Sequence, residues 1–449
     1  MPTFSADALR RLCDDTRERL SVTGAQVAIA SGDTVLQAVS GIANAELGTP
    51  VTDNTVFQIG STTKVYTATL VLQLVDAGLV DLDTPVTHYL PGVRLAAGER
   101  WREITPRHLM AMTSGLDNGP YTDTGNDDDC IGRYLDLLAE IPPAFAPGTA
   151  YGYSNASTNV SGRLIETITG DNWDVALRER LLRPAGLVES VSLFADLPYH
   201  PTAVGHLPGA TGVVRPWCFA RGCGPAGSSL ATTARDLARF GQLLVRRGKA
   251  ADGTQVLSEQ AVDIMQTVQV DVPARVFADS WCVGPYRKIW DGVEVFGHSG
   301  TTPNGSSCLL WMPAHDIAVA TVVNTPSRGY PFADAIFDVI FRDWLGVAKP
   351  SRPTPDPELE FDPSVYTGRY HAHGVEYTIS MDNGVLFFDM EQVGGAAART
   401  ELLPIAAHRF LPADDAVTGN HTWDIAFTLG PDGAAGHLHN GAFTARRVH

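Results

Sequence analysis

Apolar residues recur at helical and strand periods along the chain, and their order predicts a mixed α+β protein. Helical spacing, with apolar residues three and four positions apart, marks residues 5–20, 155–169 and 230–247. Alternating or continuous apolar runs predict strands within 24–43 and 293–323. Because hairpins near both ends bracket a helical middle, we expect one antiparallel sheet flanked by helices, with an inserted helical lobe.

The pattern changes after a proline-rich stretch at residues 349–362, which is typical of a linker. From residue 363 to residue 449, short strand patterns alternate with turns such as Asp382-Asn383-Gly384. Seven or eight such strands predict a small antiparallel β-barrel. We therefore expect a main domain at 1–348, a linker at 349–362 and a barrel domain at 363–449.

One helical pattern begins with a candidate nucleophile. An apolar run ends at Gly60, and Ser61-Thr-Thr-Lys64 follows, which places the amine of Lys64 one turn from the hydroxyl of Ser61. Serine needs a base, and lysine can serve only if burial and the helix N-terminus lower its pKa from about 10.4. A capping serine before a surface lysine would have the same spacing, but lysine is scarce here, and the complete set is Lys64, Lys249, Lys288 and Lys349.

A second candidate element is Tyr153-Ser-Asn155, the chain's single Tyr-x-Asn sequence, which stands just before a helical pattern. A tyrosine hydroxyl beside a lysine can pass a proton between that lysine and a substrate. A packed loop tyrosine followed by a helix-capping asparagine would give the same sequence.

A third candidate element is His298-Ser-Gly-Thr301, at the end of a strand pattern. Gly300 would let the backbone approach a bound acyl group, and the N–H groups of Thr301 and Ser61 could form an oxyanion hole. A strand that ends in a tight turn is the simpler alternative.

Together and in this order, the three elements resemble the motifs of the serine β-lactamase and penicillin-binding protein superfamily: Ser-x-x-Lys, Tyr-x-Asn and Lys/His-Thr/Ser-Gly. The resemblance covers about residues 10–345. The histidine form of the third motif is similar to the branch that holds class C β-lactamases, D-aminopeptidases, D-alanyl peptidases and related esterases. Met112 and Thr301 depart from residues frequent in that branch, histidine and glycine respectively.

The resemblance implies roles for the motif residues. Ser61 would attack a carbonyl and form an acyl-enzyme, while Lys64 and Tyr153 exchange the proton with the leaving group and His298 supports that proton network. Asn155 would hold the substrate amide. The resemblance also places Gly300 against the substrate and requires neither a cofactor nor a metal.

The barrel resembles the lipocalin-like domain of some D-peptidases and of penicillin-binding-protein-type thioesterases of nonribosomal peptide assembly. The chain is most similar to the thioesterases. That resemblance implies a peptidyl thioester on a carrier protein as substrate, with a D-configured C-terminal residue, and release as a head-to-tail macrocycle. Arg446 or Arg447 would reach the site from the last strand, unless both are surface arginines.

Two other functions remain open at this point. A D-stereospecific aminopeptidase, amidase or esterase would use the same acyl-enzyme with water as the acceptor. A non-catalytic binding protein on the same fold would use none of the motif residues chemically.

Charge and composition narrow the partners. The formal net charge of −17 argues against nucleic acid and anionic membranes, because nothing would offset the repulsion. The N-terminal stretch does not resemble a signal peptide, and no apolar run approaches the roughly 20 residues of a membrane span, so we expect a cytoplasmic protein. The histidine pairs are read as surface residues rather than metal ligands: His371 with His373, and His437 with His439.

Overall fold

The computed structural model describes residues 5–95, 98–208, 212–217, 220–392, 395, 397–413 and 423–448. Its α-helices are α1 Ala6–Arg19, α2 Thr63–Asp76, α3 Pro106–Met110, α4 Cys130–Leu137, α5 Asn155–Thr169, α6 Trp173–Leu177, α7 Ala234–Val245, α8 Glu259–Gln266 and α9 Gly329–Phe337. The strands of the main domain are β1 Gly24–Ser31, β2 Thr34–Asn44, β3 Thr49–Pro50, β4 Phe57–Gln58, β5 Ala231–Thr232, β6 Val270–Asp271, β7 Ser280–Trp281, β8 Tyr286–Trp290, β9 Val293–Thr302, β10 Gly305–Met312 and β11 Ile317–Val323. The barrel strands are β12 Gly368–Ala372, β13 Val375–Asp382, β14 Val385–Gln392, β15 Ala397–Ala406, β16 Arg409–Pro412, β17 Ile425–Leu429, β18 Ala435–Asn440 and β19 Phe443–Val448.

The main domain is built on an antiparallel sheet in the order β3-β2-β1-β11-β10-β9-β8-β7-β6. Strands from the two ends of the domain meet at its centre, where Ala25 pairs with Val323. The residues of β10 and β11 are buried throughout, since α7 packs against these strands and α9 packs against them as well. The predicted sheet, flanked by helices and made from both ends of the domain, is confirmed.

The inserted lobe carries α3 to α6 and is less regular than its apolar pattern suggests. Residues 111–129 and 141–154 form loops, in which Gly115 and Gly119 adopt positive φ angles of 77° and 80°. Ser154 caps α5 by accepting a hydrogen bond from the N–H of Ser157 at 3.0 Å. The last residues of the loop at 141–154, which include Tyr153, are therefore fixed at the N-terminus of α5.

Residues 349–362 contain no helix or strand, and the eight strands that follow form a closed barrel in chain order, with β12 paired to β19. Its interior is filled by aromatic side chains, including Tyr370, Phe388 and Phe410. Arg447 donates hydrogen bonds to backbone carbonyls of the barrel, among them Thr367 O, so its guanidinium serves the barrel itself. The predicted barrel is confirmed, and it is packed rather than hollow along this core.

The barrel is held against the main domain by a buried carboxylate. Asp424 is fully buried and accepts hydrogen bonds from the backbone N–H groups of Arg275 at 3.1 Å and Val276 at 3.0 Å. It also forms an ion pair with Arg409 at 2.6 Å. Because one carboxylate bonds to both domains, their relative position depends on it.

The expectation of surface histidines is wrong for β18. His439 is fully buried, and burial lowers its pKa to about 3. Its Nδ1 lies 2.9 Å from Thr444 Oγ1. His437 Nε2 lies 3.2 Å from the carbonyl oxygen of Ala144, across the junction between the domains. Both histidines lie where the barrel packs against the main domain. The alternation of residues along a strand predicts which face a residue is on, but not that another domain covers that face.

Among the described residues, no helix combines the length and apolar character needed to cross a bilayer. The same part of the chain holds no cluster of His, Cys, Asp or Glu suited to a metal ion. Five cysteines are free and buried in it, and Cys218 lies outside it.

Candidate active site

Ser61 lies in a single 3-10 turn, Gly60–Thr62, that leads directly into α2. The amine of Lys64, on the first turn of α2, is 3.0 Å from Ser61 Oγ. The same nitrogen is 2.5 Å from Asn155 Oδ1 and 2.7 Å from the carbonyl oxygen of Ala226. Three separate segments of the chain therefore converge on this amine.

These contacts suit a neutral amine. Lys64 is only 2% exposed, and burial lowers its pKa well below the ordinary value. A neutral amine has two N–H donors and one lone pair. The oxygens of Asn155 and Ala226 can only accept, so they take the two N–H groups and leave the lone pair directed at the hydroxyl of Ser61. This arrangement can remove the serine proton as a general base.

The hydroxyl of Tyr153 faces Ser61, and the Lys64 amine lies 4.9 Å from the centre of the Tyr153 ring. Burial raises the pKa of Tyr153 well above its usual value, so at neutral pH the side chain is a phenol rather than a phenolate. Tyr153 can therefore donate a proton or relay one, but it is poorly suited to be the initial base.

Met112 supports the loop that carries Tyr153. It is buried, with a positive φ of 57°, and its carbonyl oxygen accepts a hydrogen bond from Gly152 N at 2.8 Å. Its sulfur accepts from Ser154 N at 3.4 Å. Met112 thus holds the backbone on both sides of Tyr153 in place.

His298 is buried beside Tyr153 and Trp281. Its ring centre is 6.3 Å from that of Tyr153 and 5.5 Å from that of Trp281. Nδ1 is 2.7 Å from the carbonyl oxygen of Ser299, which can only accept, so the proton sits on Nδ1 and Nε2 keeps its lone pair. Burial, and then the nearby Lys64, lower the pKa of His298 to about 3, so the ring is neutral at physiological pH.

The end of β9 passes very close to the Ser61 turn. A Cβ on Gly300 would lie 2.4 Å from Ser61 N, and a Cβ on Gly60 would lie 2.5 Å from Thr301 N. Only glycine permits this approach, which brings the backbone N–H groups of Ser61 and Thr301 to the same small pocket of about 100 Å³. An oxyanion bound there could accept from both.

Asn155 is fully engaged in this structure. Its Oδ1 accepts from Lys64, while Nδ2 donates to Asn118 Oδ1 at 2.9 Å and to the Tyr121 hydroxyl at 2.5 Å. Its expected contact with a substrate amide stays a prediction, and it would require Asn118 or Tyr121 to release the Asn155 amide.

The barrel contributes a residue that the sequence did not point to. Phe443, in the hairpin between β18 and β19, packs edge-to-face on Tyr153 with ring centres 5.7 Å apart. The hydroxyl of Thr444 donates to the carbonyl oxygen of Tyr151 at 3.2 Å. Nothing in the spacing of Phe443 marks it as a site residue, because the contact exists only once the barrel docks.

Arg446 lies two residues after Thr444 on β19, opposite His371 and His437 in register. Its Nε is buried and makes no hydrogen bond with a described residue. No contact joins it to Ser61 or Tyr153 in that part of the chain, and its role in substrate binding stays a prediction.

The backbone of Ala226 was also missed as a site group. It belongs to a 3-10 turn, Arg221–Ala226, whose Pro225 packs so tightly on α5 that a Cβ at Gly162 would lie 2.2 Å from the proline ring. The glycine- and proline-rich composition of this segment was the available signal for a backbone held close to its neighbours.

A sequence profile of the beta-lactamase family matches residues 9–340. The chain belongs to this family. Penicillin-binding protein 4 of Amycolatopsis lactamdurans is 35% identical over 378 residues, covering 80% of this chain and 96% of that protein. The unguisins hydrolase ungD' of Aspergillus campestris is 24% identical over 477 residues, covering 93% of this chain and 86% of that protein.

Solved structures extend the similarity to the barrel. The crystal structure of SurE is 27% identical with a TM-score of 0.82, and the match covers 99% of both chains. A second structure, of SurE with D-Leu, matches with 26% identity and a TM-score of 0.81. Beta-lactamase family membership and this two-domain likeness support a serine enzyme that works through an acyl-enzyme.

Proposed function

We propose that the protein is a peptide macrocyclase of nonribosomal peptide biosynthesis. It accepts a peptidyl thioester with a C-terminal D-residue on Ser61 and releases the peptide as a head-to-tail macrocycle. The observation that carries this proposal is the barrel hairpin, which places Phe443 over Tyr153 beside the nucleophile. The likeness to SurE over both domains, including the structure with D-Leu, supports it.

In the first step, Ser61 Oγ bonds to the thioester carbonyl carbon while the neutral amine of Lys64 takes the hydroxyl proton. The oxyanion accepts hydrogen bonds from the N–H groups of Ser61 and Thr301. As the C–S bond breaks, Lys64 returns the proton through the phenol of Tyr153 to the departing thiol. The products are an ester on Ser61 and a free thiol. This thiol belongs to the peptidyl carrier protein that would deliver the peptide.

In the second step, the N-terminal amine of the same peptide attacks the ester. Lys64, neutral again, takes a proton from this amine, and Tyr153 returns one to Ser61 Oγ as the C–O bond breaks. The products are a lactam and the free serine. An amine tethered to its own ester has a high effective concentration, so cyclisation outruns hydrolysis if water is kept away. The buried Tyr153 and the overlying Phe443 supply that protection.

A hydrolase that acts on D-configured peptides is the second candidate. The likeness over 93% of this chain to a protein named unguisins hydrolase favours it. Both reactions share the first step and differ only in the acceptor. The macrocyclase proposal also assumes a cytoplasmic location.

A linear peptidyl N-acetylcysteamine thioester ending in D-Leu tests the proposal, with the same peptide ending in L-Leu as its stereochemical control. In H₂¹⁸O, a macrocyclase gives a cyclic product without the label, whereas a hydrolase gives a labelled linear acid. Ser61→Ala should remove both products and the acyl adduct seen by mass spectrometry. Ser327→Ala, at an exposed serine, should change neither. Labelled acid as the sole product would overturn the macrocyclase assignment.

A further inference from the structure

A second cavity, of about 460 Å³, lies at the junction of the two domains on the other side of β9. The main domain, residues 349–353 of the connecting segment and the barrel all contribute to its walls. Much of the lining is aromatic, from Phe277, Tyr286, Trp290 and Trp423. It is separate from the small pocket that contains Ser61.

Lys288 projects into this cavity from the middle of β8. Strand alternation places it on the same face as Tyr286 and Trp290, which are both buried, so a lysine interrupts an apolar row. Its amine lies 5.5 Å from the centre of the Tyr286 ring. A cation at such a position is costly unless something compensates its charge.

Other cations in the lining already have partners. Lys349 pairs with Asp334 at 2.6 Å, and Arg409 pairs with Asp424 at 2.6 Å. Lys288 forms no ion pair or hydrogen bond with any residue in the described part of the chain, and burial lowers its pKa. Asp334 and Asp279 also line the cavity and raise the pKa of Lys288 in part, but neither is in direct contact with its amine. The cavity therefore offers a lysine amine without a direct ion-pair partner amid aromatic walls.

The cavity reaches β9 through Ser299, which lies between His298 and Gly300. Its hydroxyl lies 3.1 Å from the Tyr330 hydroxyl, and both residues line the cavity. Successive residues of a strand point to opposite faces, so β9 presents His298 to the nucleophile and Ser299 to the cavity. A ligand held there would be one strand away from the acylation site.

We propose that this cavity is a substrate subsite for an anionic oxygen group, a carboxylate or a phosphate, carried on an apolar stem, with Lys288 as its counter-ion. The inference rests on the proposed use of thioester donors and deepens it. The group has two sources: a carboxylate side chain of the peptide, or the phosphate of a pantetheine leaving arm.

Kinetics of Ser61 acylation test the subsite, measured as thiol release. Three donors share one acyl peptide and carry N-acetylcysteamine, pantetheine or 4′-phosphopantetheine as leaving thiol. A fourth and fifth carry N-acetylcysteamine on peptides that differ only by Glu or Gln. Each is assayed with the wild-type protein, Lys288→Met, Lys288→Arg and the control Lys249→Met, whose lysine lies on the surface beside Glu259.

We expect Lys288→Met to raise KM about tenfold for the donor whose anionic group binds the cavity, either 4′-phosphopantetheine or the Glu peptide. The KM values of the neutral donors should not change, and Lys288→Arg should behave like the wild-type protein. An effect confined to 4′-phosphopantetheine identifies the leaving arm, and an effect confined to the Glu peptide identifies the acyl chain. Equal losses for neutral and anionic donors, or no loss with any donor, would overturn the subsite. Acylation precedes both cyclisation and hydrolysis, so the result stands even if the macrocyclase proposal fails.

Discussion

Two buried lysines lie on opposite sides of β9, Lys64 from α2 and Lys288 from β8, and their surroundings differ. On one side, the amine of Lys64 lies within 3.0 Å of oxygen atoms of Ser61, Asn155 and Ala226. On the other, the amine of Lys288 meets an aromatic ring and no ion-pair or hydrogen-bond partner in the described chain. Burial lowers the pKa of both side chains.

The difference separates a reacting group from a recognition group. Lys64 has its geometry fixed before any substrate arrives, as a base that must act on one hydroxyl requires. Lys288 has no direct ion-pair partner in the described part of the free protein, so binding an anion there yields a gain that a neutral ligand cannot provide.

Replacing Lys64 is the most severe test of this contrast. Lys64→Arg keeps a cation but cannot supply a neutral base, so acylation of Ser61 should fall by about 10³-fold. The rate of adduct formation by mass spectrometry measures the loss. Lys249→Arg, at the protein surface, should acylate at the wild-type rate. Acylation by Lys64→Arg within tenfold of the wild-type rate would assign the base to another group.

Removing the carboxylate of Asp424, which joins the two domains, should disturb both the active site and the second cavity. Asp424→Ala leaves Arg409 without its buried partner and frees the N–H groups of Arg275 and Val276, which should cost about 3 kcal/mol of stability. Denaturant unfolding measures this cost, and the share of cyclic product should fall with it. Asp432→Ala, at an exposed turn, is the control. Wild-type stability in Asp424→Ala would show that the domains dock independently of this contact.

Phe443 tests whether the barrel governs the fate of the acyl-enzyme. Phe443→Ala opens the space above Tyr153, so the ratio of cyclic to linear product should fall roughly fivefold while acylation changes little. Phe443→Tyr should retain most of the wild-type ratio. Leu429→Ala, at a similarly exposed apolar residue of the barrel, should not alter it. An unchanged ratio in Phe443→Ala would remove the barrel hairpin from the second step.

The smallest expected effect concerns pH. Lys64 must be neutral, so acylation should rise with pH through the pKa of Lys64, which burial holds below the ordinary value. The pKa of His298 is about 3, so this ring stays neutral throughout that rise. His298→Gln should therefore leave the midpoint of the pH–rate curve in place, even if the maximal rate drops. A midpoint moved by about one pH unit or more would mean that His298 titrates in the rise.

Sequence reasoning reached the parts of the molecule that local patterns encode. Period and turn residues predicted the sheet, the helix at Asn155–Thr169 and a barrel of seven or eight strands, of which the structure has eight. Motif order predicted which side chains would meet at Ser61. It did not reach Phe443, the carbonyl of Ala226 or Lys288, because their importance arises from contacts between distant segments. The sequence of β8 shows a lysine between two aromatic residues on one face of the strand. Whether that lysine is exposed or lines a cavity depends on the barrel and connecting segment that cover this face.

The pairing of β1 with β11 has a consequence for how the protein forms. Ala25 and Val323 become neighbours only after nearly the whole main domain has been enclosed between them. Closing so long a loop is entropically costly and slow, and Ser61 meets the end of β9 only when the two ends of the main domain come together. We expect reactivity at Ser61 to appear late during refolding, together with the last cooperative phase rather than with early helix formation.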